Sequence, residues 1–173
     1  MYLGNFIKDI DKRYRKVFFS GLAFNSSSVK KGNIFFAIKG NEYDGNEYVH
    51  QAIKKGASVI ISEEKFKSFN KGVTYLNNKN PRKLLSQISF KLLKRYPKRI
   101  IAVTGTNGKS SVADFYYQIL SLNKKKVGSI GTVGIQLKGK KKIVKNTTLD
   151  PLKLKKTLEQ FNLNKVENVI LEA

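Results

Sequence analysis

The sequence predicts an α/β protein: a small mixed α/β domain over residues 1–97, then the start of a phosphate-loop, parallel-sheet domain over residues 98–173 that is truncated. Three observations predict it. Strand-like and helix-like segments alternate along the whole chain. A length of 173 residues with 40% hydrophobic content supports one or two packed cores and is too apolar for a disordered chain. Tyr96-Pro97-Lys98 interrupts the alternation and marks a boundary.

In the first domain, Val17–Phe19 and Ile34–Ile38 read as strands. Glu47–Lys55 reads as a helix with Val49, Ala52 and Ile53 on one face, ended by Gly56, and Ser58–Ser62 follows as a strand. Val73–Leu76 is a further short strand. Asn80 is placed to cap a helix with Pro81 in its first turn, running to about Arg95, with Leu84, Leu85, Ile88, Leu92 and Leu93 as its apolar face.

Beyond the break, Arg99–Val103 reads as a buried strand, followed by a glycine-bearing loop and a helix from about Lys109 to Leu122. Val112, Phe115, Tyr116, Ile119 and Leu120 are its expected core face. Lys126–Ile130 is the next strand, residues 135–145 a hairpin whose tip carries the lysine cluster Lys138 to Lys142, and Pro151 opens a helix facing inward with Leu152, Leu154, Leu158 and Phe161. Val166–Leu171 is the last strand. Three core strands and two helices are fewer than a doubly wound sheet carries, so the chain is expected to be a fragment of a longer protein.

Composition narrows the chemistry. There is no cysteine, which removes disulfides, thiolate catalysis and cysteine-bound zinc and fits a cytoplasmic protein. No apolar run approaches the ~18 residues of a membrane span, and no basic-then-apolar leader opens the chain, so no membrane partner is expected. The formal net charge is +22, from 34 Lys and Arg against 12 Asp and Glu. The basic residues are spread along the chain and are mostly Lys, whereas base readout favours Arg, so no nucleic-acid partner is expected. His50, the only histidine, lies on the 47–55 helix and reads as structural or exposed. No residue reads as a protein nucleophile or general base.

The strongest chemical signal is Ile100-Ile101-Ala102-Val103-Thr104-Gly105-Thr106-Asn107-Gly108-Lys109-Ser110-Ser111. An apolar strand runs into a glycine-bearing turn, then Lys-Ser, then an amphipathic helix. Gly105 and Gly108 let the backbone turn its N–H groups toward a phosphate, and the helix start adds free N–H groups and a positive dipole end. Lys109 supplies a mobile charge for the outer phosphates, and the Ser110 hydroxyl suits Mg²⁺. Val103 stands where the standard phosphate loop has its first glycine, so this is a shorter variant.

This loop resembles the ATP loop of the Mur ligases and the folylpolyglutamate synthetases. Gly131-Thr132-Val133-Gly134, Asn146-Thr147-Thr148-Leu149-Asp150-Pro151 and Val169-Ile170-Leu171-Glu172-Ala173 follow in the order of the MurE-type Mur ligases. In the first domain, Asn25-Ser26-Ser27-Ser28 through Lys39-Gly40, then Asp44-Gly45, is similar to the Asp-Ser-Arg…Gly-Asp-Leu-Phe-Val-Ala…Gly segment of MurE and MurF, a segment that a folylpolyglutamate synthetase lacks. The resemblance covers nearly all of residues 20–173. Three departures stand out: Asn25 in place of Asp, Ser27 in place of Arg, and Ser110-Ser111 in place of Thr-Thr or Thr-Ser. Loss of that Arg removes a charge-assisted donor from the uridine side.

The resemblance implies an ATP-dependent, acid–amino-acid ligase of peptidoglycan synthesis that adds the third residue to UDP-N-acetylmuramoyl-L-alanyl-D-glutamate through an acyl phosphate. It implies ATP and Mg²⁺ as cofactors, and meso-diaminopimelate or L-lysine as the incoming amino acid. Lys109 is the implied catalytic residue. Gly105, Thr106, Asn107, Gly108, Lys109, Ser110 and Ser111 form the nucleotide cradle, and Ser110 and Glu172 are the implied Mg²⁺ ligands. The implied substrate residues are Asn25, Ser26, Ser27, Glu42 and Tyr43 in a first domain that holds the UDP end, with Asn146, Thr147 and Thr148 in the second. Asp150 also reads as the N-cap of the helix that Pro151 opens. A monomer is expected, and one without turnover as this chain alone. The alternatives are a MurF-type ligase, whose loop usually lacks Thr106-Asn107, and a non-catalytic nucleotide- or nucleic-acid-binding module.

Overall fold

A computed structural model of the chain describes residues 1–66, 68–144 and 148–173. They form two compact units, Met1–Leu92 and Leu93–Ala173.

Unit 1 is built on a parallel sheet in the order β1 (Gly21–Ala23), β2 (Asn33–Ala37), β3 (Val59–Ser62) and β4 (Thr74–Asn77). Every residue of β2 and β3 is buried, as expected for strands covered on both faces. Phe35, Ala37 and Ile60 pack with Ala52 of helix α1 (Val49–Lys54) and with Ala57, which follows that helix. Helix α2 (Pro81–Lys91) lies against β2 and buries Leu84, Leu85 and Ile88. Asn80 caps α2 by accepting from the Lys83 amide at 2.8 Å.

Several expected boundaries move. The first strand is Gly21–Ala23 rather than 17–19. Phe18 makes only an isolated bridge to Tyr2, and the 17–19 backbone bonds to the chain's own start, with Leu3 N donating to Val17 O and Phe19 N to Met1 O. That segment has one side chain to bury, Phe19, which meets Phe6 edge-on. The expected 47–55 helix starts as a 3-10 turn, Gly45–Tyr48, capped by Asp44. Helix α2 stops at Lys91 instead of reaching Arg95, because a proline at 97 is incompatible with a helical carbonyl four residues earlier.

Unit 2 has a five-stranded sheet in the order β5 (Arg99–Val103), β9 (Asn168–Glu172), β6 (Val127–Gly131), β7 (Gly134–Leu137) and β8 (Lys140–Lys142). β5, β9 and β6 are parallel, and β7 and β8 are antiparallel. Helix α3 (Lys109–Leu122) follows β5, and helix α4 (Pro151–Leu163) precedes β9. The expected hairpin is present, with Lys138-Gly139 as its turn. The last strand thus enters between the first and second, so the ends of β5 and β9 lie side by side, with Val103 opposite Glu172.

Two expectations of burial are corrected. β5 is an edge strand, and Ile100 and Ile101 are 40% and 38% exposed. On α3 the buried residues are Ala113 and Tyr117, while Val112, Phe115 and Ile119 face outward and Tyr116 and Leu120 are half-buried. The helix has apolar residues on both flanks of the buried line, so periodicity alone does not select the face.

Candidate phosphate-loop site

Residues 104–108 leave the C-terminal end of β5 and enter α3. Gly108 is the N-cap, at φ 76° and ψ −4°, a left-handed conformation that a side chain resists. A Cβ there would meet nothing within 4 Å, so the backbone conformation, not space, asks for glycine. Gly105 also has positive φ, at 149°. The first amide of the turn to find a partner is that of Val112, which donates to Gly108 O at 3.0 Å. Among the described residues, the amides from Gly105 to Ser111 donate to no protein acceptor. A run of unpaired N–H groups at a helix start is an anion receptor. The Lys109 ammonium folds back to Gly105 O at 2.5 Å, in reach of the same space.

Glu172 ends β9 beside this loop and is only 3% exposed. Its Oε2 accepts from Ser110 Oγ at 3.3 Å, from Thr132 Oγ1 at 2.7 Å and from the Thr132 amide at 3.1 Å. Gly131, at the end of β6, makes the room: a Cβ there would fall 2.5 Å from Glu172 Cδ and 2.6 Å from Oε1. The carboxylate is therefore held by two strand ends and a helix start, at the C-terminal edge of parallel strands where such sheets place ligand groups. One buried carboxylate and one hydroxyl are a hard-oxygen donor set, few in number, which fits Mg²⁺ completed by phosphate oxygens and water. Among the described residues no cluster of three His, Cys, Asp or Glu offers a fuller metal cage.

Of the loop residues, Thr106, Asn107 and Ser111 are exposed, and Lys109 and Ser110 are half-buried. Thr132 and Gly131, which place Glu172, carried no assigned role in the sequence. The signal for them is the adjacency of β6 and β9, which only the strand order reveals. Thr148 is exposed just before Asp150, which caps α4 by accepting from the amides of Leu152 and Lys153. Asn146 and Thr147 lie outside the described residues.

In unit 1 the expected substrate residues leave the C-terminal edge of the sheet, from the ends of β1 and β2. Asn25 Oδ1 accepts from the Ser27 amide at 2.9 Å and from Ser27 Oγ at 2.8 Å, capping a 3-10 turn. Ser26 is buried, and its hydroxyl donates to Gln51 on α1 at 2.5 Å, an anchor that sequence reasoning missed. Glu42 and Tyr43 are exposed on a turn closed by Gly40 N donating to Tyr43 O. Gly45 passes so close to β2's end that a Cβ would lie 2.5 Å from the Ile38 amide nitrogen. His50 is exposed on α1.

Comparison with known proteins decides the family. Residues 103–173 match the Mur ligase middle domain, and residues 19–89 match the profile described as Mur ligase family, catalytic domain. The chain belongs to the Mur ligase family. Similar members are named UDP-N-acetylmuramoyl-L-alanyl-D-glutamate–2,6-diaminopimelate ligase. The one from Rickettsia conorii is 39% identical over 157 residues, covering 88% of this chain and 32% of its own length. The one from Clostridioides difficile is 38% identical over 154 residues, covering 86% and 31%. A solved structure of a ligase of that name superposes with a TM-score of 0.76 at 26% identity, over 95% of this chain and 34% of its own. MurF from Thermotoga maritima, solved with ADP, shares the fold at a TM-score of 0.55 and 24% identity, over 87% and 31%. The chain spans about a third of the length of the curated relatives it matches.

Proposed function

We propose that these residues form the nucleotide-binding and UDP-substrate-binding parts of an ATP-dependent ligase that joins 2,6-diaminopimelate to UDP-N-acetylmuramoyl-L-alanyl-D-glutamate in peptidoglycan synthesis in the cytoplasm. The supporting observation is the run of unpaired amides from Gly105 to Ser111 beside the buried Glu172 carboxylate. The names of the relatives support the amino acid, in preference to L-lysine.

The chemistry needs an activated acid. A free carboxylate is a poor electrophile. Transfer of the γ-phosphoryl group to a carboxylate oxygen of the muramyl dipeptide, with ADP leaving, makes an acyl phosphate. The amine of the incoming amino acid attacks its carbonyl carbon, the C–O bond to phosphate breaks, the amine proton is lost, and amide and inorganic phosphate remain. No protein nucleophile is required. Amides 105–111 bind and orient the phosphate tail, and Lys109, released from Gly105 O, neutralises charge on its outer oxygens. Ser110 and Glu172 would hold Mg²⁺, which supplies charge neutralisation at the transferred group. Gly131 and Thr132 keep Glu172 in place. Asn25, Ser26, Ser27, Glu42 and Tyr43 take the uridine end, and Asn146, Thr147 and Thr148 the muramyl-peptide end.

Relatives carry this activity on chains about three times as long, so binding is the step to measure on these residues. Titration calorimetry with a non-hydrolysable ATP analogue is expected to show one Mg²⁺-dependent site. Lys109→Met should weaken it by about tenfold or more, as loss of a charge-assisted contact does. Binding that is unchanged in Lys109→Met and indifferent to EDTA would count against the reading.

A further inference from the structure

Strands β5, β9 and β6 all run toward the phosphate loop, so their N-terminal ends make the opposite pole of unit 2. Residues 123–126, the Lys138-Gly139 turn and residues 164–167 gather there. They are tied together: the Glu167 and Asn168 amides donate to Lys126 O at 3.0 and 3.2 Å, and the Gly139 amide donates to the Tyr117 hydroxyl at 3.2 Å. Lys124, Lys125, Lys126 and Lys138 border a shallow cleft of about 310 Å³ on this pole, with Lys98 and Lys165 beside the same strand starts. Glu167 is the acid among the described residues there. Its carboxyl is held below the ordinary glutamate value, first by the hydrogen bond from Lys98 and then by the charges of Lys98, Lys126 and Lys125.

Two further features set this pole apart. Lys124, Lys138 and Lys165 sit at turns with φ of 55°, 51° and 58°, where glycine or asparagine would relax the backbone, so cations occupy three positions that turn chemistry assigns to other residues. Leu122 and Leu163, the last residues of α3 and α4, are 82% and 83% exposed beside them.

We propose that this pole is a docking surface for an anionic phospholipid bilayer. Lysines with almost no opposing acid match anionic headgroups, and each cation near such a surface multiplies the partition by a factor of about five. The two leucines supply apolar contact at the headgroup level, which a nucleic-acid backbone does not reward. The contact is peripheral, since no described helix is long and apolar enough to cross a membrane. The five residues of β5 put the nucleotide loop about 17 Å from the lipid side, facing water.

Co-sedimentation of the 173-residue chain tests it, with vesicles of phosphatidylcholine alone or mixed two to one with phosphatidylglycerol. Pelleting is expected only with the anionic lipid. The variant K124E/K125E/K138E/K165E should lose more than about a hundredfold in partition. K12E/K16E/K71E/K79E, an equal charge change at exposed positions of unit 1, should lose far less; equal losses would overturn the assignment to this pole. The chain has no tryptophan, so Leu122→Trp gives a single reporter. Its emission should shift to the blue on anionic vesicles and be quenched by brominated acyl chains. A bound protein whose tryptophan still emits as in water overturns the proposal. So does tighter binding to an oligonucleotide duplex than to the vesicles, lost with the same four reversals.

Discussion

Glu172 shows how one side chain can depend on a neighbour that has none. Its carboxylate reaches the loop because Gly131 leaves a gap where a Cβ would stand 2.5 to 2.7 Å from its carbon and oxygen atoms. Those contacts are to a buried group held by Thr132, which has little freedom to give way. Gly131→Ala is therefore expected to cost about 1–3 kcal/mol of stability by overpacking. It should also weaken Mg²⁺-dependent nucleotide binding more than metal-free binding, and denaturant melts with calorimetry check both. A second expectation concerns Glu167. A carboxyl whose folded pKa is depressed stabilises the fold above its ordinary value and loses that contribution as pH falls through the folded one. Carbon-detected NMR should place the Glu167 midpoint below that of an unpaired glutamate, and Lys98→Met should raise it, because the Lys98 hydrogen bond is the leading cause. Because the pair is exposed, the melting temperature should change little with either.

The elements were legible in proportion to how local their causes are. The phosphate loop is written in consecutive residues, since glycine at a left-handed position, lysine and serine at a helix start act within one turn. Caps are equally local, and Asn80 and Asp150 hold the helices that Pro81 and Pro151 open. The places of Gly131, Thr132 and Gln51 were not legible, because each depends on a partner 25 to 41 residues away and on which strand or helix lies next to which. Helix α3 failed for another reason. Val112, Phe115 and Ile119 on one flank and Ala113 and Tyr117 on the other both read as apolar, and only packing on β6 and β9 chooses the second. The choice has a measurable consequence. Phe115→Ser should alter stability by no more than about 0.5 kcal/mol. Phe161→Ala, which empties the space over Gly128, should cost about 3–5 kcal/mol. A large loss from Phe115→Ser would mean that the outward face of α3 is covered in solution.

At the scale of the whole chain, the charge of +22 and the phosphate loop act on a nucleotide at different ranges. The field of many dispersed lysines reaches beyond contact distance, but salt shortens it to about 8 Å at physiological ionic strength. The unpaired amides of the loop and the Lys109 ammonium act only once the phosphates have arrived. Association should then follow the field and dissociation the loop. Stopped-flow binding of a fluorescent ATP analogue is expected to show an association rate that falls steeply as salt rises, with a dissociation rate that changes much less. Lys109→Met should do the opposite. Removing one of 34 basic residues barely alters the distant field, so association stays close to that of the unmodified chain while dissociation quickens. If Lys109→Met instead lowered association and left dissociation alone, the lysine would be one more contributor to the general field. The specificity of the site would then rest on backbone amides by themselves.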